Sequence, residues 1–159
     1  MLTVNIIAVG NLKEKYLKEA SAEYQKRISG YAKINIIEIS EEKLSSNPSE
    51  KEIANALDTE AEKIFLAAKK SKIIPLCIEG TQYSSVEFSN LIEKATIEGI
   101  SEISFVIGSS YGLSDKVKNS AYKKLSFSKM TLPHQLCRIV LLEQIYRAFS
   151  ITANTKYHK

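Results

Sequence analysis

Phe105–Lys159 reads FVIGSSYGLSDKVKNSAYKKLSFSKMTLPHQLCRIVLLEQIYRAFSITANTKYHK, and the way this stretch begins decides the class of fold. Glu102 to Ile107 alternates and then saturates with apolar and β-branched residues, as a buried strand does, and runs directly into Gly108-Ser109-Ser110-Tyr111-Gly112. A strand therefore ends in a loop that exposes its backbone. Ser114 is placed to cap a short helix over Asp115–Ser120, a second strand fits Tyr122–Ser128, and Pro133 opens a helix that runs to Ser150. Apolar side chains of that helix, among them Leu136, Ile139, Leu142, Ile145 and Phe149, point in nearly every direction around its axis. One core face cannot hide them all, so part of this surface is expected to meet another subunit.

The preceding residues repeat the strand-then-helix pattern. Leu2–Val9 is a β-rich run closed by Gly10-Asn11, and Leu12, Tyr16, Leu17, Ala20, Tyr24 and Ile28 then recur at helical spacing until Gly30. Ile34–Ile39 is the next strand. Ser49 and Glu52 form a capping box for a helix reaching about Lys69. Ile73–Ile78 is a short strand whose Pro75 cannot donate to a ladder, which predicts an edge position or a bend, with Glu79-Gly80 as its end. Ser84 and Glu87 cap a further helix that Gly99 closes. Strands alternating with helices predict an α/β fold, a mostly parallel sheet with helices on both faces, in a single domain spanning residues 1–159.

Composition narrows the function. At 44% hydrophobic and 25% charged residues the chain reads as globular, and no apolar run reaches the ~20 residues that span a bilayer. The start of the chain lacks the basic segment of a signal peptide, so the expected location is cytoplasmic. Cys77 and Cys137 are expected as buried, reduced core residues. With two histidines and neither HExxH nor CxxC, no metal site is expected.

Charge is uneven. Residues 115–159 sum to +7 while the whole chain is +4, which leaves residues 1–114 at −3. A basic region beside a glycine loop suggests a polyanionic partner such as nucleic acid, although a solvated lysine face is the commoner origin of any one cluster. Ligands of α/β sheets bind beyond the carboxyl ends of the strands, which directs attention to Gly80, Gly108 and the Ser126–Leu132 turn. The Gly108 loop lacks the GK[ST] of a P-loop, the first strand lacks GxGxxG, and no GxSxG marks a hydrolase.

Ala8-Val9-Gly10, Val106-Ile107-Gly108 with Gly112-Leu113, Leu125 through His134, Arg138-Ile139-Val140, Glu143 through Ala148 and the terminal Tyr157-His158-Lys159 closely resemble the bacterial 23S ribosomal RNA pseudouridine-N3 methyltransferases of the SPOUT superfamily. The resemblance covers the whole chain, and its C-terminal motif is long and specific. It departs at Ser109, where the family usually has glycine; a positive φ there would strain a serine.

The resemblance implies an S-adenosylmethionine-dependent enzyme acting on a pseudouridine of 23S rRNA, as a homodimer with a C-terminal trefoil knot. It also implies a cofactor pocket of Leu76, Gly108, Phe127, Ser128, Lys129, Met130, Thr131 and Leu132. Leu76 is equally explained by core packing. Methyl transfer requires in-line placement and removal of the ring N–H proton. His158, as an imidazole, is the expected base, with Tyr157 stacking on or hydrogen-bonding the flipped base. The tail of one subunit is expected to close over the cofactor of the other, against the plain alternative of a frayed end. His134 is read as a helix-opening residue. Lys116, Lys118, Lys123, Lys124 and Lys129, with Arg138 and Arg147, are the expected RNA-contacting set, although Glu143 and Arg147 are also spaced for an i, i+4 ion pair. Two rivals stay open: another SPOUT RNA methyltransferase, acting on a ribose 2′-hydroxyl or on tRNA, and a non-catalytic RNA-binding or flavodoxin-like α/β module.

Overall fold

The computed structural model describes residues 1–159. Strands β1 (Thr3–Val9), β2 (Lys33–Ile39), β3 (Lys72–Gln82), β4 (Glu102–Ile107) and β5 (Leu125–Ser126) form a parallel sheet in the order β2-β1-β4-β3-β5. Helices α1 (Lys15–Ile28), α2 (Glu50–Ala68), α3 (Ser85–Ile97), α4 (Asp115–Asn119) and α5 (His134–Thr152) lie between and after the strands. The two-residue period of the strands sorts their side chains into two cores. Val4, Ile6 and Ala8 of β1 join Ile103, Phe105 and Ile107 of β4 beneath Leu141, Leu142, Ile145 and Ala148 of α5, with α1 and α3 flanking. On the opposite face Ile7, Val9 and Val106 meet Ala61, Ile64 and Ala68 of α2 and Val117 of α4.

Local signals account for the helix starts. Ser49 Oγ accepts from Glu52 N at 3.1 Å, and Glu52 returns the bond to Ser49 N at 3.4 Å. Ser84 and Glu87 do the same at 3.1 and 2.9 Å. Ser114 caps α4 through Val117 N. Pro133 is the residue before α5, one position earlier than expected for a helix-opening proline.

Five expectations are settled or changed by the structure. Pro75 lies inside the sheet, at the last residue of β3 that pairs with β4, and from Leu76 the strand pairs with β5 instead. A proline is tolerated there because the ladder is changing partners across an irregularity. The strand also continues past Gly80 to Gln82, and the strand expected over Tyr122–Ser128 shrinks to Leu125–Ser126. Leu142 and Ile145 are fully buried in the core, so any apolar subunit contact on α5 falls to residues that retain exposure, among them Leu136, Ile139, Val140 and Phe149. Ser109 is absent from the residues with positive φ and carries no strain of that kind.

The carboxyl end of the sheet is unusually tight. A Cβ on Gly80 would sit 2.7 Å from the Leu125 carbonyl carbon, and one on Gly108 would overlap the Gly112 carbonyl. Gly80→Ala should therefore force β3 and β5 apart and cost about 2 kcal/mol, as overpacking does. Urea unfolding checks it: a lower midpoint at unchanged slope is expected.

Candidate active site

The chain leaves β1 toward β2 through α1 on one face, and leaves β4 toward β5 through α4 on the other. Adjacent strands whose connections depart in opposite directions open a crevice at their carboxyl ends. Two cavities occupy this end of the sheet. The larger, about 720 Å³, lies between the Gly108–Leu113 loop, the Leu76–Glu79 part of β3 and the Ser126–His134 turn. The smaller, about 480 Å³, lies beside it at the ends of β1 and β2. Ser109, Ser110, Pro133 and His134 line both.

The larger cavity gathers Leu76, Gly108, Phe127, Ser128, Met130, Thr131 and Leu132, seven of the eight residues expected at the cofactor pocket. Lys129 is exposed and does not line it. Ser128 Oγ accepts from Met130 N at 3.0 Å, fixing the turn. The cavity's only charged side chains neutralise each other: Lys118 Nζ is 2.6 Å from Glu79 Oε1. This bond holds the Glu79 carboxyl below its ordinary range and raises the Lys118 ammonium. With mostly apolar walls and no free cation, the space suits a ligand without phosphate. Cys77 and Cys137 also line it, half-buried rather than sunk in the core. Burial raises both thiols, Cys137 to about 11, so both stay protonated. Sequence spacing gave no sign that these residues, or Tyr111, would meet here.

Tyr157 and His158 do not reach this space in their own chain. Tyr157 Oη donates to Glu143 Oε1 at 2.9 Å, its ring meets Tyr146 edge-on at 4.7 Å, and the Arg147 guanidinium lies 4.7 Å over it. Arg147 also donates to Glu143 Oε1 at 2.7 Å and contacts His158 Nδ1 at 3.2 Å. Burial pushes Glu143 up, but the bonds from Arg147 and Tyr157 outweigh it and hold the carboxyl low. Burial and the bond to Glu143 raise the Tyr157 phenol to about 12. The tail is thus anchored on α5 rather than frayed.

The basic set divides. Arg138 is 1% exposed, with Nη1 2.6 Å from Glu38 Oε2 and Nη2 donating to Gly10 O at 3.0 Å. It ties α5 to the ends of β1 and β2 and cannot meet RNA. Arg147 is occupied by the tail, and Lys118 by Glu79. Lys116 lies 3.7 Å from Asp58 with both side chains largely exposed, a contact too weak to withhold it. Lys123 and Lys129 are exposed, and Lys124 is half-exposed. His134 lies in the wall between the cavities, where burial and then Arg138 lower its pKa.

The family described as "Predicted SPOUT methyltransferase" matches residues 2–158. "Ribosomal RNA large subunit methyltransferase H" of Streptococcus uberis is 47% identical over 159 residues, covering 99% of this chain and all of the relative. The protein of the same name from Streptococcus pneumoniae is 48% identical with the same coverage. Among solved structures, the tRNA (m1G37) methyltransferase of Aquifex aeolicus superposes with a TM-score of 0.53 at 12% identity, covering 91% of this chain and 69% of that one. A Legionella pneumophila protein solved with bound SAM gives 0.52 at 12% identity, covering 92% and 66%. Both share the fold.

Arg138→Gln should cost about 2 kcal/mol, because it strands part of a buried hydrogen-bonded pair. Thermal unfolding should show the loss, while the salt dependence of RNA binding stays unchanged. A shallower salt slope with wild-type stability would put Arg138 back on the RNA face.

Proposed function

Because the chain belongs to the SPOUT methyltransferase family, we propose that it transfers a methyl group from S-adenosylmethionine to N3 of a pseudouridine in 23S ribosomal RNA, in the cytoplasm. The carrying observation is that the Gly108 loop and the Phe127–Leu132 turn enclose one cavity, in a chain alike over its whole length to relatives named for ribosomal RNA methylation. S-adenosylmethionine, when bound, supplies an electrophilic methyl on a sulfonium centre. It is a cation without phosphate, which fits a slot whose own charges cancel. Leu76, Phe127, Met130 and Leu132 supply apolar walls, and the Gly108 and Ser128–Leu132 backbones supply N–H and C=O groups.

The site is completed by a second copy of the chain. Tyr157 and His158 are ordered by Glu143 and Arg147 but stand away from the slot of their own subunit, which supports their delivery to the partner's slot. A phenol titrating at about 12 stays protonated, so Tyr157 stacks and donates. The guanidinium of Arg147 can only donate, so His158 Nδ1 accepts. With Nδ1 so engaged, Nε2 of His158 can offer a donor to a carbonyl of the base, a different role from the proton acceptor expected of it. Lys116, Lys123, Lys124 and Lys129 hold rRNA phosphates, and choice of target falls to RNA shape.

Methyl transfer should be compared on free 23S rRNA, 50S subunits and whole ribosomes, followed by nucleoside digestion and mass spectrometry. N3-methylpseudouridine is expected; a ribose-methylated product would overturn the assignment. Deleting residues 157–159 should preserve donor binding and abolish turnover. A second variant, Thr131→Trp, should fill the slot, and mixing it with the tail-deleted chain should restore turnover. Failure to restore it would show that the tail serves its own subunit.

A further inference from the structure

The smaller cavity differs in chemistry from the slot it adjoins. Asn11, Lys13, Ser40 and Glu41 give it both donors and acceptors, and neither Lys13 nor Glu41 is in an ion pair. Its size of about 480 Å³ is within the range of small-molecule sites, and it lies at the β1/β4 switch point, where such folds place ligands. Gly10 takes a positive φ of 102° at the turn after β1 and lies beside the His134 ring. Gln135 accepts from Lys13 N at 2.9 Å, which holds the loop after β1 to the start of α5. His134 is itself uncommitted: Nε2 is buried with no partner, and no bond is made at Nδ1. Ser109, Ser110, Pro133 and His134 line both spaces, so a donor in the slot and an acceptor in this cavity would meet beside these four residues.

We propose that this second cavity is the acceptor pocket, receiving the uracil-type base to be methylated, and that His134 accepts the proton of its N3–H. The assignment rests on the methyltransferase reading and extends it. As N3 attacks, its bonding pair to hydrogen becomes the new bond to the methyl carbon, and the proton passes to His134 Nδ1. The carbon–sulfur bond breaks with its pair remaining on sulfur, and the imidazolium afterwards releases the proton to water. Three observations favour His134 over the tail for this step. Tyr157 holds its own proton, His158 has its Nδ1 engaged by Arg147, and His134 is kept neutral by burial and by Arg138. The Asn11 amide, the Lys13 ammonium and the Glu41 carboxylate around the pocket can read the N1–H and the two carbonyls of pseudouridine.

Pseudouridine nucleoside, added at millimolar concentration without donor to protein labelled with nitrogen-15 in its imidazoles, should shift the His134 ring signals. Ser40→Trp, which fills the pocket from its outer side, should abolish that shift. His134→Asn should lower kcat by roughly 100-fold or more, the range of a lost proton acceptor. The wild-type kcat/KM should fall as pH drops through the lowered pKa of His134, with Lys13, Glu38, Glu41 and Arg138 the other charged groups facing it. His134→Asn should lose that acidic limb. An unmoved His134 signal, or a variant with wild-type kcat and pH profile, overturns the acceptor pocket while wild-type donor binding and turnover leave the methyltransferase reading standing. A wild-type protein that binds no donor and methylates nothing overturns both.

Discussion

Backbone meeting backbone without an intervening side chain is the constraint on which this molecule depends. At Gly80 the chain of β3 runs against β5, and at Gly108 the chain leaving β4 runs against its own return at Gly112. Any side chain at either point would wedge the carboxyl end of the sheet open. The closeness brings three loops, far apart in sequence, to one crevice and lets them share a cavity. The two cores beneath are ordinary alternations of Val, Ile and Leu, and their role here is to hold that end of the sheet rigid.

Charge is distributed by a similar economy. The C-terminal region is strongly basic, yet its two arginines are turned inward, Arg138 to fasten α5 to β1 and β2, Arg147 to organise the tail. Lys118 cancels Glu79 at the cavity wall. The lysines left on the outside are the ones free to attract a polyanion under the proposed function, while the slot stays close to neutral, which suits a cationic donor.

Much of this was legible in the sequence where local physics decides. Both capping boxes, the Ser114 cap and the alternation of strands with helices follow from short-range rules, and each is found in place. The seven slot residues also lie together, although it was the family resemblance that brought them to notice. Long-range geometry was hidden. Pro75 reads as an edge residue or a bend; the strand is not an edge, and the ladder's change of partner beside Pro75 leaves no mark in the residues around it. Arg138 reads as an RNA contact because burial of a guanidinium depends on Glu38, a hundred positions away. The second cavity escaped notice for the same reason: Gly10, Glu41 and His134 come from three separate turns.

The central claim is that the donor lies in the slot between Gly108 and Leu132, within reach of the neighbouring subunit's tail. A crystal structure with S-adenosylmethionine and two copies of the chain tests it most directly. The account predicts the adenosyl group against Leu76 and Phe127, the sulfonium methyl directed at the wall that contains His134, and the partner's tail at the rim. Donor density at any other place on the sheet, or a slot whose rim no second chain approaches, would contradict it.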